Sequence, residues 1–159
     1  MAVFDYRQAE EIRDAFNKHG VRYLFIGKSG AILLGFPDST QVAVIYPEKS
    51  PENGRAIVAA LRELNFEITD SRAGEIERGK DFVQLKNGPF DVDLVFAPDG
   101  IERFEGAWRR HVVIDGFHVC HIDDIIGSKE ASRRAKDMES LPRLRSFRKY
   151  WLLQNHNSP

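Results

Sequence analysis

Cysteine is nearly missing from this chain. Cys120 stands alone, which excludes an internal disulfide framework of the kind that secreted domains of this size rely on. Long apolar runs are missing too, and so is a signal-type hydrophobic segment, so the chain reads as soluble and cytoplasmic with no membrane partner. Neither sign of charge dominates: 23 Lys and Arg stand against 24 Asp and Glu. No sequence-wide basic excess supports constitutive nucleic-acid binding, and only local basic stretches could carry such a role. Internal repeats and low-complexity segments are absent. What remains is a 159-residue chain, 42% hydrophobic, with enough apolar material for the core of one compact α/β domain.

Capping and periodicity divide the chain into elements. Asp5, with Gln8 reaching back, opens a helix whose apolar stripe is Ala9, Ile12, Ala15 and Phe16 and which stops at Gly20. Val21 to Ile26 predicts a first buried strand, Ala31 to Leu34 a short helix, and Gln41 to Tyr46 a second strand rich in β-branched residues. Ser50-Pro51-Glu52 starts another helix, with Ile57, Val58, Leu61 and Leu64 on its buried face and an end near Asn65. A weak strand is expected at Phe66 to Thr69, and a mobile loop over Ser71 to Lys80, which is polar and carries Gly74 and Gly79. Asn87-Gly88 predicts a tight hairpin turn between Phe82 to Leu85 and Phe90 to Phe96; Asp115-Gly116 predicts a second, between His111 to Ile114 and Phe117 to His121. Helices then run from about Asp123 to Leu153, punctuated by Pro142, and Gln154 to Pro159 is expected to fray.

Three groups of residues carry candidate chemistry. Gly27-Lys28-Ser29-Gly30 joins a strand to a helix, where backbone N–H groups and the helix dipole favour a phosphate; an ordinary tight turn has the same sequence appearance. The Gly-Lys-Ser triplet is not a Walker A loop, because the earlier glycine of that motif is lacking and bulky Tyr23 to Ile26 fill the gap. Asp91 and Asp93 are two apart on a strand and share one face, which suits a metal or general-base site and equally suits a strand with one face in water. Lys129, Arg133 and Asp137 recur every four residues on an expected helix, either as a phosphate-binding face with Asp137 orienting a cation or as a solvated, salt-bridged one. His118, Cys120 and His121 do not make a zinc site: on a strand His121 points away from the other two, and no Cys-x-x-Cys accompanies them.

Taken together, Tyr23-Leu24-Phe25-Ile26-Gly27-Lys28-Ser29-Gly30-Ala31, Thr40 at the opening of the second strand, Phe90-Asp91-Val92-Asp93-Leu94-Val95, Ser128-Lys129 and Arg134-Ala135-Lys136-Asp137 resemble the nucleotidyltransferase superfamily of polymerase-beta-like and kanamycin-nucleotidyltransferase-like enzymes. Within it they look like the AbiEii-like group of type IV toxin–antitoxin systems. The resemblance implies a mixed β-sheet with helices packed on one side, residues 1–122 forming the core, 123–154 a C-terminal helical segment of the same domain that closes one wall of a cleft, and 155–159 a frayed tail. It also implies an NTP substrate, Mg²⁺ as cofactor, a protein or RNA acceptor, and a cognate toxin or antitoxin as partner.

Carried over residue by residue, Gly27 and Ser29 would hold the triphosphate; Lys28 and Thr40 near them, and Arg133 on the expected helix face, are further nucleotide-binding candidates. Asp93 would be the third carboxylate, with Asp91 beside it as a metal candidate; Lys129 would contact phosphate and Asp137 would position the lysine or the acceptor. The family's first two metal-binding aspartates, however, fall on Val42 and Val44. Valine has no oxygen to offer magnesium. The expectation is therefore a nucleotidyltransferase impaired or inactive as written, in which Lys28 could supply part of the missing positive charge. The alternative is a non-catalytic binding module, an antitoxin or regulatory partner, on the same fold.

Overall fold

A computed structural model describes residues 5–155. Seven helices and six strands occupy these residues: α1 Tyr6–Lys18, β1 Tyr23–Phe25, α2 Gly27–Leu34, β2 Val42–Pro47, α3 Pro51–Glu63, α4 Asp70–Arg78, β3 Phe82–Leu85, β4 Asp91–Val95, α5 Phe104–Arg110, β5 Val112–Ile114, β6 Phe117–Val119, α6 Ile122–Ser132 and α7 Ala135–Asn155. The strands form one mixed sheet in the order β3-β4-β2-β1-β6-β5. β2 runs parallel to β4 and β1 parallel to β6, while β1–β2 and the two hairpins are antiparallel. The fold is α/β. Asn155 ends α7, and the rest of the tail, 156–159, lies outside the described residues.

Alternation along the strands assigns the two faces. Tyr23 meets Phe16 of α1 edge-on at 4.9 Å, and α3 packs beside α1. Leu24 is paired with Tyr46, so Tyr46 points to the opposite face, where Phe104 of α5 meets it at 5.2 Å. Helices thus cover both faces, not one. α5 carries no apolar stripe legible in the sequence: its seven residues bury only Ala107 fully, and its aromatic side chains act from a partly exposed position.

Four other expectations change. No strand forms at 66–69: Phe66 and Ile68 are buried in an irregular segment, and Thr69 caps α4 by accepting a hydrogen bond from Arg72 N–H at 3.1 Å. The expected loop after it is α4 itself, ended by Gly79 at φ +69°. Its packing rests on Gly54 of α3, where a Cβ would come within 2.6 Å of Glu77 Cα.

The first hairpin forms, but Leu85 pairs with Val92, and extending that register centres the turn on Gly88-Pro89. Gly88 does not adopt a positive φ; the Phe66 ring fills the place its Cβ would take. Asp115 (φ +51°) and Gly116 (φ +79°) make the second turn as predicted. The C-terminal helix breaks at Arg133, a non-glycine residue at φ +54°, and α7 continues through Pro142 between buried Leu141 and Leu144.

Candidate functional site

The β1–α2 junction is built around one hydroxyl. Ile26 N–H donates to Val44 C=O at 3.0 Å, and the matching return bond of an antiparallel ladder would join Val44 N–H to Ile26 C=O. Ser29 Oγ occupies that place: it accepts from Val44 N–H at 3.0 Å and donates to Ile26 C=O at 3.0 Å. Ser29 is fully buried. The hydroxyl fastens α2 to β2 and is spent inside the protein, which leaves the phosphate role expected of this turn to its backbone N–H groups. Gly27 precedes it at φ +65°, with Val44 carbons 3.5 Å from where a Cβ would sit, so glycine is required here by the backbone and not by space.

Beside this junction lies a cleft of about 450 Å³. Its floor is the open end of the sheet face beyond α5. Val42 is in register with Asp91 and Val44 with Asp93, and parallel pairing puts all four on one face. Val42, Val44 and Asp93 line the cleft together with Gly27, Lys28 and Thr40; Asp91 lies outside the lining. Phe82, Gln84 and Val95 extend the floor, and Ser128, Lys129, Arg134, Lys136, Asp137 and Ser140 form the facing wall.

The wall departs from the single helical face expected. Arg133 sits at the break as the C-cap of α6 and outside the cleft lining, so its assignment to the nucleotide site is corrected. Lys129 on α6 and Asp137 on α7 nevertheless meet, Nζ to Oδ1 at 3.1 Å, with both side chains less than a fifth exposed. Ser132 Oγ also donates to Asp137 and accepts nothing from it. Burial opposes ionisation of Asp137, but the hydrogen bonds from Ser132 and Lys129 outweigh it and hold its carboxyl below the usual range. The charged cleft residues that sequence reasoning missed are Asp81, Asp99, Arg134 and Lys136. All four are exposed, with no ion pair among the described residues.

Lys28 pairs with Asp38 at 3.3 Å, and Arg143 pairs with the same carboxylate. The Ser39 N–H bond, then Lys28 and Arg143, hold Asp38 below its ordinary value against the effect of burial. Thr40 Oγ1 makes only long local contacts to Val42, 3.4 Å from both its N and its O. Asp93 differs from all of these. Its carboxylate has no hydrogen-bond or ion-pair partner among the described residues, and burial raises its pKa; Lys86 pulls the other way, Asp91 pushes it further up, and Lys136 and Arg134 pull it down.

These groups do not compose a magnesium site. Mg²⁺ asks for an octahedron of oxygens, and the positions facing Asp91 and Asp93 in register are isopropyl groups. No three His, Cys, Asp or Glu side chains are placed to share a metal ion among the described residues, His118, Cys120 and His121 included.

No family model and no curated protein matches the chain. A crystal structure from Thermotoga maritima, of a protein described as a "putative nucleotidyltransferase", is similar over 93% of this chain and 92% of its own, at 14% identity and a TM-score of 0.49. That likeness is too slight to carry chemistry from one protein to the other. Among the described residues no helix is long and apolar enough to cross a membrane.

Proposed function

We propose that this chain is a nucleotidyltransferase-superfamily protein that holds a nucleoside triphosphate in the β2–β4 cleft and has lost metal-dependent transfer. One observation carries the reading: Val42 and Val44 stand in register with Asp91 and Asp93 on the cleft floor, while the cationic wall of Lys129, Arg134 and Lys136 is intact. Losing one preorganised electrostatic element commonly costs about 10²–10³-fold in rate, so losing two ligands of the same metal leaves little transfer. The narrower AbiEii-like assignment belongs to the same proposal, with a protein or RNA acceptor for its active relatives and a cognate toxin or antitoxin as partner. It rests on Ser128-Lys129 and on Arg134-Ala135-Lys136-Asp137, which the fold brings to one wall.

The test combines binding with transfer. ATP and AMP are titrated calorimetrically into the parent and into Lys129→Gln, which keeps a donor for Asp137 while removing the charge. The triphosphate should lose about tenfold in affinity and the monophosphate less, because a point cation gains most from the more highly charged ligand. Labelled NTP with magnesium should mark neither cellular protein nor RNA. Magnesium-dependent labelling by the parent, or equal losses for ATP and AMP, would contradict the proposal.

A further inference from the structure

We infer that the cleft seats the nucleobase at its β3 end, stacked on the Phe82 ring, and that it prefers bases carrying an exocyclic amino group to uracil. This rests on the nucleoside triphosphate reading above and says what the uncharged part of that ligand touches. β3 is an edge strand whose Val83 and Leu85 are buried, so Phe82 and Gln84 point the other way, into the cleft. Phe82 is 40% exposed, and its ring has no aromatic or cationic partner among the described residues; the Gln84 amide likewise has no hydrogen bond there. A bare phenyl ring on a cleft floor offers a flat apolar face on which any nucleobase can stack.

The register sets this platform apart from the β1–α2 junction. Gln84 pairs with Asp93 and Asp93 with Val44, so one rung crosses the floor from the junction to β3, two strand spacings or about 10 Å. The unpaired charges of the cleft are divided as well. Arg134 and Lys136 stand on the α6–α7 wall, where they can take phosphate oxygens. Asp81 directly precedes Phe82 and is tied by its C=O to Phe96 N–H at 2.9 Å, at the end of β4, and Asp99 follows three residues on. These two carboxylates repel phosphate, and they accept hydrogen bonds without donating any. An uncharged base is therefore the part of the ligand that suits this end of the floor. Adenine, cytosine and guanine bring an amino group that a carboxylate can accept from, whereas uracil presents a carbonyl oxygen where cytosine has its amino group.

The experiment is a calorimetric titration of ATP, CTP, UTP and inorganic tripolyphosphate into the parent protein and three variants. Phe82→Ala should lower ATP affinity about tenfold, within the range of one base–aromatic stack, and leave tripolyphosphate unchanged. Phe82→Trp, which restores a ring, should bind ATP as the parent does. CTP and UTP have rings of one size and differ at the amino group, so CTP should bind the parent about tenfold more tightly, and the Asp81→Asn, Asp99→Asn variant should abolish that difference. Equal losses of ATP and tripolyphosphate in Phe82→Ala, no loss of either, or UTP affinity equal to that of CTP in the parent overturns the inference and leaves the triphosphate reading standing. Failure of all four ligands to bind overturns both.

Discussion

At Ser29 a side chain completes a rung that the backbone leaves open. Removing its hydroxyl strands Val44 N–H, whereas Ile26 C=O keeps the Gly30 N–H bond at 3.1 Å. Ser29→Ala should therefore cost about 1–3 kcal/mol, the penalty of one buried donor without a partner, read as a shift in the denaturation midpoint at unchanged slope. No loss would mean that the hydroxyl does not support the sheet. Asp93 makes the opposite case, a residue whose charge the fold tolerates at a cost. Its raised pKa means that the folded state holds the proton more tightly than the unfolded chain, so the penalty is absent below the unfolded value and grows as pH rises through the folded one. Asp93→Asn should raise the melting temperature at neutral pH, with the gain disappearing in acid. A gain over the parent that is no larger at neutral pH than in acid would contradict this. The role of the Ser29 hydroxyl is not legible in the Gly-Lys-Ser-Gly turn, because the strand residue it reaches, Val44, lies 15 positions away.

Among the elements, α4 owes its place to a residue in another helix. Gly54 lets α3 approach the α4 backbone, and an added methyl would collide with Glu77 Cα and, at 2.8 Å, with Ile76 O, neither of which can turn aside as a side-chain tip could. Gly54→Ala gains helix propensity of about 1 kcal/mol but forces the helices apart at a cost of about 1–3 kcal/mol. Net destabilisation on chemical denaturation is expected; a net gain would mean that the crossing is loose. Elements with a cap and an apolar stripe, α1 and α3, were legible from the sequence, as was the Asp115-Gly116 turn with its positive φ values. The elements that escaped it depend on distant partners. α4 has Ile76 as its one fully buried side chain and a supporting glycine 22 residues away, and the α6–α7 break sits on Arg133, which carries no breaker signature. Pro142 does carry one, yet the buried side chains around it hold the helix continuous.

Across the whole molecule, the division of one sheet face explains why a site exists at all. α5 covers the end around Leu24 and Tyr46, and the other end stays open between the β1–α2 junction and the α6–α7 wall. Much of that site was legible in pairs: Asp91 with Asp93 by alternation, Val42 with Val44 likewise, Lys129 with Asp137 by motif. What joins the pairs is the parallel register of β2 with β4 and the turn at Arg133, both products of long-range packing that no local pattern specifies. The proposed function requires that Val42 and Val44 be the positions where a metal site is missing. The measurement that tests it most directly is a calorimetric titration of ATP into a folded Val42→Asp, Val44→Asp variant, with magnesium and with EDTA. Two carboxylates added beside Asp93 should make binding at least about tenfold tighter with magnesium than without. A folded double variant whose ATP affinity is indifferent to magnesium would contradict the assignment of this cleft.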